Sequence, residues 1–484
     1  MRLWCVLVVV LAAALRTAEM ARRALQVDEG LTLYLAGLKL PAALQFMRDH
    51  DPHPPLLTVT VHALVWAHAP DWLIRVLFVL LGTASVALVM AVVRQWSSDR
   101  AAVIAGVFAA CMPLLIFNDI MIRMYAPFGV FALLSFYLLS RVLVRDDLPA
   151  ARRRMFWIGW TLCTIAMLYT LYAAFFVLAC QLAYGALVRR DAVWKLLAGA
   201  AVAGVAWLPQ LPTFLYQLPE GGISFPGYVG REFELIATLP EQATLQIPYA
   251  GVLGVALVAV VWIWAGVALY STIRARRGSL LPWIGAPALL TLVYSVAAHK
   301  LLYTDRYYTL FAYALCCWTG AALGRWTESL LKSGRRVALA PAVVACLLIG
   351  GVAGAHVTDP YHSTADWNKI GLLLTSVSKP HDLFIFEQGS PIWVLGRNGA
   401  LAGHPLLVVF DNEQPARILD SAKPYDRVWY VRFESWPVDP ADIVLRGLQR
   451  QYRLLRYWRF DDALASEVAL VAQFERSRRQ GFKR

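Results

Sequence analysis

The chain has 484 residues, of which 59% are hydrophobic and only 16% are charged. Soluble domains average about 25% charged residues, so this composition excludes an ordinary water-soluble protein and indicates a chain whose main solvent is lipid. The net charge of +13 would suggest nucleic acid in a soluble protein. Here the basic residues form short clusters between apolar runs, as in membrane proteins, and we predict no nucleic-acid partner.

Apolar segments long enough to span a bilayer recur along most of the chain. Crossing the hydrocarbon core takes about 20 residues, and we predict roughly eleven spans. They lie at about 3–20, 70–93, 101–117, 126–144, 156–169, 171–188, 193–212, 248–270, 282–298, 307–325 and 337–356. The first could be a cleaved signal peptide, but an uncleaved span is favoured because the loop after it carries candidate functional residues. Residues 156–188 could form one long tilted helix.

The loops between these spans differ in charge, which predicts the topology. Basic loops face the cytoplasm, and two spans are needed within 154–189 to keep both flanking basic loops there. The N-terminus is then cytoplasmic, and the C-terminus is outside. Three arginines would follow the first span on the outer side, against this rule. We interpret Arg16, Arg22 and Arg23 as part of a structured surface loop.

From about residue 357 the composition becomes that of a small α/β domain. Residues 362–378 and 442–451 are predicted to be helices, whereas 382–386 and 427–433 have the patterns of strands. The predicted organisation is therefore a transmembrane domain over 1–356, with a first outer loop at about 21–69, followed by an extracytoplasmic α/β domain over 357–484.

The first outer loop carries two groups of candidate residues. Asp28 and Glu29 follow the first span and could serve as a general base or bind a cation, although a helix N-cap or a solvated loop start is the alternative. Further along, prolines hold the segment around His53 extended. Asp49 and Asp51 match a short metal-binding motif of nucleotide-sugar transferases, but we interpret them as ordinary turn residues.

Two further groups lie on the predicted outer side. Asn118 and Asp119 precede Arg123 and Tyr125, and Asp119 and Arg123 would share a helix face and pair if the helix continued between them. An arginine there could hold a phosphate or could only reach for lipid head groups.

The last group lies between the ninth and tenth predicted spans. Lys300, Tyr303 and Arg306 place two cations in one short outer loop. They would suit an anionic lipid-linked ligand or form an aromatic and basic belt at the membrane surface.

Together these motifs resemble the C-type glycosyltransferases. The residues that carry the resemblance are Asp28-Glu29, His53-Pro-Pro-Leu56 and Asp119-x-x-x-Arg-Met-Tyr125, in this order on one side of the membrane. The protein O-mannosyltransferase and lipid A aminoarabinose transferase group is the most similar. The resemblance covers roughly residues 1–350.

The resemblance implies a polytopic α-helical fold with its site at the outer face and two amphipathic helices in the first loop. It implies an inverting transfer of a sugar from a polyprenyl-phosphate donor, usually undecaprenyl phosphate in bacteria, to a lipid, glycan or protein acceptor. Asp28 would be the catalytic base beside Glu29, and Asp119 a second acidic residue of the cavity. Which of Asn118 and Asp119 faces the site stays open.

The donor phosphate would be bound by basic and aromatic side chains. The resemblance and the outer-side position together identify the candidate phosphate ligands as Arg123, Tyr125, His53, Lys300, Tyr303 and Arg306. A divalent cation (Mg²⁺, Mn²⁺ or Ca²⁺) stays open as a cofactor, with Asp28 and Asp119 as candidate ligands. The expected location is the bacterial plasma membrane. The alternatives are a transporter or flippase for a lipid-linked sugar and a non-catalytic membrane subunit.

Overall fold

The computed structural model describes most of the chain. It covers residues 2–23, 25–51, 53–144, 147–220, 251–275, 278–297, 309–333, 340–358, 367–387, 389–397, 399–409, 415–433, 442–461 and 468–476. The chain divides into two compact units. We call residues 1–21 and 39–358 the membrane unit, and residues 22–38 and 359–484 the C-terminal unit. The sequence places the boundary at 356/357 and does not anticipate that 22–38 belongs with the later part of the chain.

Helices make up the membrane unit and alternate with strands in the C-terminal unit. In chain order they are α1 (Arg2–Arg22), α2 (Val27–Gly37), α3 (Leu40–His50), α4 (Leu56–Trp66), α5 (Asp71–Trp96), α6 (Asp99–Cys111), α7 (Pro113–Ile120), α8 (Tyr125–Val144), α9 (Ala150–Leu168), α10 (Ala174–Val188), α11 (Val193–Trp207), α12 (Leu211–Glu220), α13 (Gly251–Ala275), α14 (Leu281–Ala297), α15 (Thr309–Lys332), α16 (Ala340–Thr358), α17 (Trp367–Val377), α18 (Ser390–Arg397), α19 (Pro415–Ala422) and α20 (Ile443–Gln451). The strands are β1 (Leu383–Phe386), β2 (Leu406–Val408), β3 (Arg427–Phe433), β4 (Tyr452–Asp461) and β5 (Val468–Arg476).

A helix lies at each of the eleven predicted spans, which confirms a polytopic α-helical membrane protein. Within the described residues, four helical segments meet the length and hydropathy expected of a span on their own, and a bent pair raises the number to five. Residues 150–188 form two helices, α9 and α10, as the charge of the flanking loops predicted.

The third predicted span is broken. Helices α6 and α7 meet at Met112 with a bend of 62°, because Met112 adopts an extended backbone and Pro113 begins α7. A proline lacks the amide hydrogen that would continue the helical ladder and clashes with the preceding turn. The break leaves the last carbonyls of α6 without helical partners.

The C-terminal unit is built on a mixed five-stranded sheet in the order β2-β1-β3-β5-β4. Strand β1 pairs in parallel with β2 and β3, whereas β5 runs antiparallel to β3 and β4. The four residues of β1 are all buried, as expected for a parallel strand covered on both faces. The predicted strands and helices of this region are confirmed where the structure describes them.

The segment predicted as the first outer loop contains three helices, where the resemblance implies two. Helices α3 and α4 belong to the membrane unit, and α2 belongs to the C-terminal unit. Val27 of α2 is buried in the same apolar cluster as Phe386, Leu395 and Trp429. Burial of α2 within this core explains its assignment, which hydropathy alone does not reveal.

Candidate functional site

A buried ion pair joins two helices inside the membrane unit. Nη2 of Arg16 in α1 lies 2.7 Å from Oδ2 of Asp119 in α7, and both side chains are completely shielded from solvent. Nε of Arg16 donates to the same oxygen at 2.9 Å. The hydroxyl of Tyr313 in α15 donates to the carboxylate at 3.3 Å. One carboxylate therefore connects α1, α7 and α15.

Arg16 also donates hydrogen bonds to backbone carbonyls at the break between α6 and α7. Its guanidinium donates to the carbonyls of Ala109 and Ala110 at 3.2 Å each, at the end of α6. These are carbonyls that the break at Met112 would leave without partners. The interpretation of Arg16 as a surface-loop residue is wrong, because α1 extends to Arg22 and Arg16 is buried within it. The guanidinium points inward because the Asp119 carboxylate and the two carbonyls accept its hydrogen bonds.

Close packing encloses the Asp119 carboxylate. A Cβ atom added at Gly82 of α5 would lie 2.3 Å from Cβ and Cγ of Asp119. Another, added at Gly129 of α8, would lie 2.9 Å from Tyr313. Glycine at these positions lets the helix backbones approach, as in other membrane helix interfaces.

The structure gives Asp119 a different partner from the one predicted, and it gives Asn118 a partner for which no prediction was made. Helix α7 ends at Ile120, so Asp119 and Arg123 do not lie on one helix face, and Asp119 pairs with Arg16 instead. Nδ2 of Asn118 donates to the hydroxyl of Thr309 at 2.8 Å. Both Asn118 and Asp119 are fully buried.

Asp119 does not fit a divalent cation. Its oxygens face the positive guanidinium of Arg16, which would repel a metal ion and already uses the lone pairs that a metal would need. Among the described residues, no three His, Cys, Asp or Glu side chains converge in a way that could hold a metal ion. We therefore assign no metal to Asp119.

A second charged cluster surrounds the loop between α3 and α4. Nδ1 of His53 is hydrogen-bonded to Oδ1 of Asp51, and both side chains are buried. Burial alone would raise the pKa of Asp51, but the charges of His53 and Arg123, together with the hydrogen bonds from His53, lower it below its usual value. Asp51 is therefore ionised at neutral pH, and His53 and Arg123 are the two residues that lower its pKa.

This cluster brings together two predicted phosphate ligands and a residue that sequence reasoning missed. The interpretation of Asp51 as an ordinary turn residue is wrong, because its side chain is buried against a histidine. The signal in the sequence was the position of Asp51 and His53 on either side of a proline, in a segment whose prolines restrict the backbone. The structure shows a tight turn there and not the expected extended segment, since the amide of His53 donates to the carbonyl of Asp51 at 2.7 Å.

Three further elements fix the backbone of this loop. Nε2 of Gln217 in α12 donates to the carbonyls of Met47 at 2.9 Å and Asp51 at 3.0 Å. The hydroxyl of Tyr172, which precedes α10, donates to Gln217 at 2.8 Å. The amide of Leu56 donates to the carbonyl of Tyr169 at 3.0 Å. The loop is thus anchored on both sides of the Asp51–His53 pair.

Arg123 and Tyr125 lie at the start of the next span. The amide of Arg123 donates to the carbonyl of Met121 at 2.7 Å, which marks a tight turn between α7 and α8. Tyr125 is the first residue of α8. Both side chains are buried, so this turn presents them to the interior of the membrane unit and not to bulk water.

The predicted acidic pair lies in the C-terminal unit. Glu29 is fully buried, and its Oε2 accepts a hydrogen bond at 3.0 Å from the amide of Gln26. Together with the side chain of Gln26, this contact forms a capping box at the start of α2. Asp28 is half-buried in the same first turn, and its carbonyl accepts a bond from Thr32. Glu29 is thus a helix-capping residue.

The third predicted cluster lies outside the described residues. Lys300, Tyr303 and Arg306 fall within 298–308, so their roles stay predictions. Asp28 likewise stays a candidate for the base and for metal binding.

Comparisons with known proteins identify the fold. No family model matches the chain, and no curated protein matches its sequence. The structure is similar to ArnT from Cupriavidus metallidurans in the apo state, with a TM-score of 0.59 and 16% identity over 97% of both chains. ArnT bound to undecaprenyl phosphate gives a TM-score of 0.57 and 15% identity, over 97% of this chain and 98% of that chain.

A second similarity is to an archaeal oligosaccharyltransferase. AglB from Archaeoglobus fulgidus, in complex with an inhibitory peptide and a dolichol-phosphate, gives a TM-score of 0.51 and 14% identity. The match covers 94% of this chain and 73% of that one. ArnT and AglB share the C-type glycosyltransferase fold. The chain therefore has the polytopic membrane fold of the C-type glycosyltransferases together with a C-terminal α/β unit.

Proposed function

We propose that the protein is a membrane-embedded glycosyltransferase that takes its sugar from a polyprenyl-phosphate donor. The observation that carries this proposal is the similarity of fold along nearly the whole of both chains to ArnT, which binds undecaprenyl phosphate in one of its structures. Fold alone does not fix function. The cluster of Asp51, His53 and Arg123 adds support, because Arg123 is a buried cation of the kind that a lipid phosphate needs.

In the proposed reaction, an acceptor hydroxyl attacks the anomeric carbon of the donor sugar. The bond from that carbon to the phosphate oxygen breaks, and its electron pair leaves with polyprenyl phosphate. Asp28 takes the hydroxyl proton as general base. Attack from the face opposite the leaving group inverts the anomeric centre.

The leaving phosphate gains negative charge, and we assign its stabilisation to Arg123, His53 and Tyr125. Lys300, Tyr303 and Arg306 are proposed as further ligands. Losing one fixed donor to a developing charge typically costs about 100- to 1,000-fold in rate. Glu29 would support the base by capping its helix, and Asp119 would act at a distance by holding α7 through Arg16.

The proposed location is the bacterial plasma membrane, with the N-terminus cytoplasmic and the reaction on the outer side. Nucleotide sugars are confined to the cytoplasm, so an outward reaction requires a lipid-carried donor. The acceptor is proposed to be a lipid, a glycan or a protein.

The test is transfer of radiolabelled sugar from a panel of undecaprenyl-phosphate sugars by the purified protein in lipid. Asp28→Asn and Arg123→Ala should each lower transfer at least 100-fold while the protein remains folded and inserted. Arg152→Ala, at an exposed position at the start of α9, is the matched control and should transfer as the wild type does.

The outcome also separates the alternatives. Donor binding without transfer by the wild type would favour a transporter or flippase. Neither binding nor transfer, with Asp28→Asn folded normally, would favour a non-catalytic subunit. Full transfer by Asp28→Asn would remove Asp28 from the role of base while leaving the enzyme class in place.

A further inference from the structure

A helix and the strand that follows it make one stretch of the C-terminal unit strongly basic. From residue 443 to residue 460 the chain contains five arginines and neither aspartate nor glutamate. All five side chains are exposed, and they are Arg446, Arg450, Arg453, Arg456 and Arg459. We call the exposed side chains of residues 443–459 the α20–β4 patch. Charges of one sign at this density attract an anionic surface.

Helix α20 presents two of the arginines on its outer face. It buries Val444 and Leu448 in an apolar core that also contains Phe474 of β5. Arg446 and Arg450 lie on the opposite face of the helix and are exposed. The packing of α20 on the sheet therefore turns its basic side away from the core.

Strand β4 carries the other three arginines along the edge of the sheet, because it is the last strand in the order β2-β1-β3-β5-β4. Arg453 lies opposite Glu475 and Arg456 lies opposite Gln473 in the register of β4 and β5. Side chains three positions apart on a strand point to opposite faces, so Arg459 lies on the other face from Arg456. The arginines thus line both sides of this edge, and Glu475 offsets only one of them.

The patch also exposes apolar side chains, which an ordinary solvated edge does not need. Arginine on an edge strand discourages pairing with other strands, but exposed leucines on the same strand work against that protection. Basic residues interleaved with aliphatic and tyrosine side chains are typical of segments that bind an anionic bilayer surface. Six large apolar side chains are exposed in the described part of the C-terminal unit, and four of them belong to the patch, namely Ile443, Leu454, Leu455 and Tyr457.

Short connections tether this unit to membrane helices. The chain passes between the two units three times. Helix α2 ends at Gly37 and α3 of the membrane unit begins at Leu40, and eight residues separate the end of α16 at Thr358 from the start of α17 at Trp367. Eight residues extend over at most about 29 Å. Lipid head groups are therefore present at high local concentration around the unit, which favours even weak surface contacts.

We propose that the α20–β4 patch binds anionic phospholipid head groups of the membrane in which the protein is embedded. The arginines contact the phosphates, and the leucines and Tyr457 enter the boundary between head groups and acyl chains. A membrane fits better than a soluble acidic partner, because the patch combines charge with exposed apolar side chains and belongs to a membrane-tethered unit. This inference does not depend on the proposed glycosyltransferase function.

Hydrogen exchange of the full-length protein tests the proposal. The protein is placed in nanodiscs of phosphatidylcholine alone and in nanodiscs that also contain phosphatidylglycerol, and the exchange of residues 443–460 is compared. We expect exchange to be slower by about threefold or more in the anionic nanodiscs, because several arginines gain lipid contacts there. The difference should disappear at about 1 M salt, where charges are screened beyond about 3 Å.

Two variants with the same change in net charge show whether the patch itself is responsible. The first removes four charges of the patch and should exchange equally in both kinds of nanodisc, and it is Arg446→Gln/Arg450→Gln/Arg453→Gln/Arg456→Gln. The matched control removes four exposed cations elsewhere in the same unit and should keep the difference seen in the wild type, and it is Lys369→Gln/Lys379→Gln/Arg417→Gln/Lys423→Gln. Thermal unfolding confirms that both variants fold.

Three results would overturn the proposal. The first is equal exchange of the wild type in the two kinds of nanodisc, and the second is a lipid effect that both variants lose alike. The third is protection that depends on the number of protein copies in each nanodisc and not on phosphatidylglycerol, since the patch would then pair with a second copy of the chain. If the variant of the patch does not fold, the salt dependence of the wild type decides, and protection that persists at high salt refutes binding through the arginines.

Discussion

Arg16 and Asp119, which are 103 residues apart in the sequence, form an ion pair at 2.7 Å with no exposed surface on either side chain. The pair lies beside the break between α6 and α7, and Arg16 bonds to carbonyls on one side of the break and to the carboxylate on the other. A single guanidinium thus fixes both halves of a bent span.

Removing Arg16 alone should lower the free energy of unfolding more than replacing both Arg16 and Asp119. We expect Arg16→Met to lower the free energy of unfolding by about 3–5 kcal/mol, because it leaves a buried carboxylate without its counter-ion. The double variant Arg16→Met/Asp119→Asn should recover the part of that loss that comes from the unpaired carboxylate, while the carbonyls of Ala109 and Ala110 stay without the donor that Arg16 supplies. Unfolding of the purified protein in detergent measures both. Equal losses in the single and double variants would contradict this account.

The close approach of α5 to Asp119 predicts opposite effects at two glycines. Gly82→Ala should destabilise by about 1–3 kcal/mol, because its Cβ would overlap the Asp119 side chain and force the helices apart. Gly204→Ala in α11 meets nothing within 4 Å and should be neutral or stabilising by up to about 1 kcal/mol through helix propensity. Thermal unfolding compares the two, and a stable Gly82→Ala protein would refute the packing argument.

The lowered pKa of Asp51 predicts that the protein loses stability at acid pH. Because the pKa of Asp51 is lowered in the folded protein, its ionised form contributes stability that is fully present above its ordinary pKa of 3.8. That contribution is lost as the pH falls through the lowered folded value. Asp51→Asn should therefore be less stable than the wild type at pH 7, and the difference should shrink as the pH falls below 3.8.

Melting temperatures measured from pH 7 down to about 3 test this expectation. Asp49→Asn serves as the control and should follow the wild type across the whole range. A difference between Asp51→Asn and the wild type that stays constant with pH would show that the charge of Asp51 does not stabilise the fold.

The burial of Val27 predicts that the C-terminal unit holds the segment with the proposed base. Val27→Asp should undock α2 and cost roughly 3 kcal/mol, because it buries a charge in an apolar core. The helix itself should tolerate the change, since an acidic residue in the first turn favours a helix. Hydrogen exchange of residues 27–37 should rise. Leu372→Asp, at an exposed position in α17, should leave that exchange unchanged.

The positions of the helices could be predicted because hydropathy and loop charge are local properties of the sequence. The strand around Phe384 and the helix from Ile443 were predicted for the same reason, since each has its own periodicity. A break such as that at Pro113 is visible in the sequence as a proline, but its consequence for Asp119 is not.

The partners in the candidate site depend on the tertiary fold and could not be predicted from the sequence. The expected pairing of Asp119 with Arg123 assumed a continuous helix, and α7 ends between them. Arg16 was placed in a surface loop because a charged side chain at the end of an apolar run is expected to reach water, whereas this one has a carboxylate partner inside. For the acidic pair at Asp28 and Glu29 the sequence left both a general base and a helix cap open, and only the backbone geometry of α2 shows that Glu29 caps the helix.

The discontinuity of the C-terminal unit has a consequence for biosynthesis. Residues 22–38 leave the ribosome early, but the rest of their unit is made only after residues 39–358 have been synthesised. During that interval Val27 and the rest of α2 lack the apolar core on which they pack, and an isolated helix of this length is marginal in water. The segment that carries Asp28 therefore completes its folding last. A chain truncated before the final strands would still insert in the membrane, but α2 would lack the core on which it packs.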